Sequence, residues 1–167
     1  VFPLVFGFCL SQNALAQGPV LPKPNKGPTG PQRPNIILIV ADDLGYGDLG
    51  SYGQQYIKTP FLDLLAAEGI RFTQAYAGAP IGSASRASMM TGLHTGHSYI
   101  RGNKDIPLRT SDITIAEMLR QARYKTLAFG KWGLGLEHTT GEPFKKGFEH
   151  WAGFTTQEHA DNYYPTY

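Results

Sequence analysis

Residues 35–50 read Asn35-Ile36-Ile37-Leu38-Ile39-Val40-Ala41-Asp42-Asp43-Leu44-Gly45-Tyr46-Gly47-Asp48-Leu49-Gly50. Five consecutive large aliphatic residues give both faces of a strand an apolar surface. A strand buried on both sides belongs to a parallel sheet. The acidic pair and the glycine-rich stretch then fall at its carboxyl end, where open α/β sheets bind ligands. Thr59 as N-cap and Pro60 in the first position open a helix with apolar Phe61, Leu62, Leu64 and Leu65, and Gly69 ends it. Residues 70–77 read as a second strand and 85–91 as a helix. Thr114-Ile115-Ala116-Glu117 is a capping box opening a helix to about Arg123. Residues 125–130 read as a third strand, followed by the loop Lys131-Trp132-Gly133-Leu134-Gly135. This alternation predicts an α/β fold with a mostly parallel sheet and helices on both faces.

Upstream, Val1–Leu10 is almost wholly apolar and Ala14-Leu15-Ala16 follows. Residues 1–17 therefore read as a secretory signal peptide lacking its basic start, too short to span a bilayer. Export to the periplasm or the extracellular space is expected. A lipoprotein anchored through Cys9 fits less well, because Gly7-Phe8 precedes it. Residues 18–34 are rich in proline and read as an extended tether, so the folded part is expected over 35–167. The chain reads as the N-terminal portion of a longer domain. With 15 Lys and Arg against 13 Asp and Glu, the formal charge is +2. Such near balance argues against nucleic acid or an anionic membrane as partner. Cys9 is the single cysteine, and no His pair has zinc-ligand spacing, so a zinc reading fails.

Asp42 and Asp43 at a buried strand end repel each other and lose water, which a hard cation would offset. Oxygen donors favour calcium or magnesium. The bland alternative is one Asp capping a turn and the other solvated. Lys131, at a strand end in a glycine-rich loop, has the compact charge to pair with an anion. A solvated loop lysine is the alternative. His94, His97, His138 and His150 read as structural.

The run Gly82-Ser83-Ala84-Ser85-Arg86-Ala87-Ser88-Met89-Met90-Thr91-Gly92-Leu93-His94-Thr95-Gly96-His97, continued by Ile100-Arg101-Gly102-Asn103, resembles the nucleophile segment of the formylglycine-dependent sulfatases. Their pattern is Cys or Ser, any residue, Pro or Ala, Ser, Arg. The opening 35–53 and the Lys131 loop are similar to that family too, and the resemblance covers about Arg33 to Tyr167. It implies the alkaline-phosphatase-like α/β fold and sulfate-ester hydrolysis with bound calcium. It gives Asp42 and Asp43 the role of metal ligands, Arg86 that of stabilising negative charge, and Lys131 that of contacting sulfate. His159 takes the place of a substrate-contacting histidine near this distance past the lysine loop. Sulfated glycans or aryl sulfates are the implied substrates, and a maturation enzyme that makes formylglycine is the implied partner. Residue 82 departs from the family. Glycine has no β-carbon to oxidise, so formylglycine cannot form there. Two further readings stand beside the hydrolase: an inactive sulfatase-like protein that binds sulfated ligands, and a phosphoester or phosphonate hydrolase of the same superfamily.

Overall fold

A computed structural model describes residues 5–9 and 33–162. The leader reading over 1–17 and the tether reading over 18–34 lie largely outside those residues. The chain divides into two compact units, Val1–Ala75 and Tyr76–Tyr167.

In the first unit, β1 (Val5–Cys9) pairs antiparallel with β2 (Ile36–Val40), Val5 opposite Val40 and Cys9 opposite Ile36. The aliphatic run is thus a strand, as its side chains predict. Its expected burial is not met. All five residues are exposed, from 39% at Leu38 and Val40 to 66% at Ile39. Among the described residues, neither face of β2 is buried. Two 3₁₀ turns follow, Tyr46–Asp48 and Gly50–Tyr52, the first closed by the Gly45 N–H donating to Asp48 Oδ2 at 2.6 Å. Helix α1 (Pro60–Glu68) has Pro60 in its first turn and Gly69 as C-cap. Thr59 precedes it but does not cap it conventionally. Its hydroxyl accepts the Gly50 N–H at 2.9 Å and donates to Asp63 at 3.1 Å. Residues 70–77 form no strand. A strand needs a ladder partner, and that segment has none among the described residues. Side chains hold it instead: Arg71 donates to the Ser51 carbonyl, and the Tyr52 hydroxyl to that of Phe72 at 2.8 Å.

The second unit holds the core. Helix α2 (Gly82–Thr91) is followed by α3 (Ile115–Gln121), β3 (Leu127–Lys131), a 3₁₀ turn at Pro143–Lys146, β4 (His150–Phe154) and α4 (Gln157–Asp161). Strands β3 and β4 pair in parallel, Leu127 opposite His150 and Lys131 opposite Phe154. The fold is therefore α/β with a parallel pair in this unit and an antiparallel pair in the other. Ala87, Ile100, Leu108, Ala116, Trp132, Leu134 and Phe148 are buried together. Trp132 meets the rings of Phe148 and Trp151 edge-on, at 5.7 and 6.1 Å. The capping box on α3 is formed: the Glu117 N–H donates to Thr114 Oγ1 at 3.2 Å, and the Thr114 N–H to Glu117 Oε2 at 2.9 Å. The helix stops at Gln121, short of Arg123, whose φ of 63° lies in the left-handed region. Among the described residues no helix is long and apolar enough to cross a membrane.

Candidate active site

In the first unit, Asp42 and Asp43 directly follow β2. Both are exposed, which corrects the expectation of a desolvated pair; β2 itself is uncovered, so it withdraws no water from its end. Asp43 has φ 57°, a left-handed conformation that Asp tolerates better than most residues. No group of three or more His, Cys, Asp and Glu side chains is gathered among the described residues. The two carboxylates have the donor chemistry for a hard cation, but calcium takes six to eight oxygens. These two residues would form part of such a shell.

In the second unit, Gly82 is the first residue of α2 and Arg86 lies four residues on. That spacing sets both on one face, a turn apart. Gly82 is not among the glycines with positive φ. Its backbone is ordinary helix, a conformation open to any L-residue. Arg86 is half-buried, and Ser83 is only 1% exposed. Ser83 is thus a poor stand-in nucleophile, its side chain held inside. The helix N-cap, Ile81, has no side chain able to accept a hydrogen bond. Asn103 supplies the missing acceptor from twenty residues away, its Oδ1 taking the Ser83 N–H at 3.0 Å. This one bond ties the two ends of the 82–103 segment together. Asn103 lies within the family-like run, but nothing in its spacing along the sequence places it on the helix end.

Lys131 closes β3 at its carboxyl end, and the ladder continues past it. The Trp132 N–H donates to the Phe154 carbonyl at 2.8 Å, and the Gly133 N–H to that of Thr155 at 3.0 Å. Alternation along the chain puts Trp132 in the core, 2% exposed, with its indole N–H on the Gly141 carbonyl at 2.8 Å. Lys131 stays accessible, its side chain 21% exposed. Helix α4 starts directly after β4, capped by Thr156 Oγ1, which accepts the His159 N–H at 3.0 Å. The same end of the parallel pair thus carries Lys131 and the short helix with His159. His159 is exposed. On the same helix, Asp161 Oδ1 lies 3.1 Å from the lysine Nζ. One acidic residue thirty positions downstream carries no recognisable signal in the sequence.

The sulfatase family model matches residues 34–167. The chain belongs to the sulfatase family. Among relatives of this sulfatase chain, N-acetylgalactosamine-6-O-sulfatase of Bacteroides thetaiotaomicron is 42% identical over 117 residues, covering 68% of this chain and 23% of the relative. Steryl-sulfatase of Mus musculus is 38% identical over 141 residues, 75% of this chain and 23% of the relative. The crystal structure of Ps i-CgsB in complex with k-i-k-neocarrahexaose superposes with a TM-score of 0.62 at 36% identity, covering 69% of this chain and 26% of that one. The sulfatase chain thus has the alkaline-phosphatase-like α/β fold of its family, and it spans about a quarter of the length of the curated relatives it matches.

Proposed function

We propose that this chain serves sulfate-ester hydrolysis: in the second unit Arg86 and Lys131 would bind the –OSO₃⁻ group, and in the first Asp42 and Asp43 would contribute to a calcium site. The observation that carries the reading is the 82–103 segment. Its first part, Gly82–Thr91, is a helix with residue 82 at its start and Arg86 a turn later, and Asn103 at the far end of the segment accepts from the first turn. Arg86 would take the charge spread over the sulfate oxygens with its planar fork, and Lys131 would add a point charge. Bound calcium would supply Lewis-acid chemistry; Asp42 and Asp43 would be two of its oxygen donors, and further donors would have to complete the shell. Magnesium fits less well, since it demands near-ideal octahedral geometry. Sulfated glycan is the favoured substrate class. A relative is named an N-acetylgalactosamine-6-O-sulfatase, and a solved neighbour holds k-i-k-neocarrahexaose. Aryl sulfates are the second class, and His159 is a candidate substrate contact. The apolar run at 1–10 supports an exported, periplasmic or extracellular protein.

Gly82 specifically favours a second reading. Without a β-carbon it does not fit the formylglycine that the family uses, so the chain as it stands would bind sulfated ligands without turning them over. The test compares the full chain with its Gly82→Cys variant, each co-produced with a formylglycine-generating maturation enzyme, on aryl sulfate and aryl phosphate esters. The helical backbone at residue 82 has room in φ for a cysteine. Turnover of aryl sulfate by the variant alone is the expected result. No turnover with retained sulfate affinity would leave the binder. Preference for phosphate would overturn both.

A further inference from the structure

We infer that Asp161 sets the anion affinity of this site by competing with a bound sulfate group for the charge of Lys131. The inference rests on the reading of Lys131 as a sulfate contact. The lysine ammonium is 3.1 Å from Asp161 Oδ1. A carboxylate oxygen there takes a hydrogen bond of the kind a sulfate oxygen would take. The two partners are unequally held. Lys131 is the last residue of β3, fixed between its ladder and the buried Trp132, and its side chain is 21% exposed. Asp161 ends a helix of five residues, and its side chain is 73% exposed. The lysine is therefore the fixed member and the carboxylate the displaceable one. Exposed pairs of this kind contribute little stability, so a ligand can displace the carboxylate. Displacement does not remove its charge. Asp161 remains beside the ligand and repels it.

A second negative charge roughly 5 Å from a bound anion, in a wet environment, weakens binding about fourfold per unit charge before salt screening. In the full chain, Asp161→Asn should therefore bind inorganic sulfate about fivefold to tenfold more tightly by calorimetric titration at low salt. The gain should shrink as ionic strength rises, and Asp161→Glu, which keeps the charge, should stay near the parent. Lys131→Ala should bind much more weakly. If Asp161→Asn leaves the affinity unchanged or lowered, or if its gain ignores salt, the inference is wrong while the lysine's role stands. If Asp161→Glu matches Asp161→Asn, charge is not the cause and the inference is likewise wrong. If Lys131→Ala binds like the parent, the reading of Lys131 itself is overturned, and the inference with it.

Discussion

Replacing Asn103 by alanine removes the acceptor that holds the first turn of α2. The Ser83 N–H, on a residue 1% exposed, then loses its 3.0 Å bond. An orphaned buried donor costs about 1–3 kcal/mol, and loss of an N-cap typically about 1 kcal/mol. Two details choose between these figures. Asn103 itself is exposed, so water can reach part of the space an alanine vacates. The helix retains its own bonds beyond the first turn, beginning with the Ser85 N–H on the Ile81 carbonyl at 2.9 Å. The lower figure applies, about 1 kcal/mol, equal to about a fivefold change in the opening equilibrium. Native-state hydrogen exchange reads this directly. The amides of residues 85–87 should exchange about fivefold faster in Asn103→Ala. Asn103→Asp keeps an acceptor at the positive end of the helix dipole and should restore protection. Protection unchanged in Asn103→Ala, or lost equally in Asn103→Asp, would refute the capping role.

Three further outcomes are expected. Lys146 is 1% exposed, and its ammonium donates to the carbonyls of Arg109 at 2.7 Å and Asp112 at 3.0 Å. Lys146→Met should destabilise by about 3 kcal/mol, read as a lower denaturant midpoint at unchanged slope; a loss below about 1 kcal/mol would contradict it. Burial pushes the Asp112 carboxyl up, but hydrogen bonds from the Arg109 side chain and backbone outweigh it and hold the group below its usual value. A depressed folded pKa means the unfolded state binds the proton more readily. Stability from this carboxylate is therefore full above the ordinary range near 4 and is lost as pH falls from there through the lower folded value. An acid melt of Asp112→Asn should show a shallower decline below pH 4 than the parent. Finally, the 167-residue chain expressed by itself should bind an apolar dye and aggregate, because Ile36–Val40 lies exposed; a sharp cooperative melt without dye binding would argue otherwise.

Local signals in the sequence were legible where one short segment determines its own structure. The capping box at Thr114, Pro60 in the first turn and the aliphatic run as a strand formed where side-chain chemistry placed them, and the helix expected over 85–91 formed with its start three residues earlier, at Gly82. Readings that needed a distant partner fared worse. Residues 70–77 have strand-like composition, but composition cannot provide a ladder neighbour. The burial of β2, and with it the desolvation of Asp42 and Asp43, depended on layers not found among the described residues. The site followed the same division. Lys131 and Arg86 were marked by their own loop and helix. Asp161 reaches Lys131 across 30 positions and Asn103 reaches the Ser83 N–H across 20, and no spacing rule reaches that far.

Lys131 and Trp132 are neighbours on one rigid strand end, one side chain facing outward and the other clamped between Phe148 and Trp151. The backbone from which the cation projects is consequently held by the interior. A cavity opened at Phe148 would loosen the packing of the indole, and with it the backbone that Trp132 shares with Lys131, without touching any polar group. Packing changes deep in the second unit can thus reach the backbone of an accessible lysine, and any redesign of this loop has to keep the aromatic cluster beneath it.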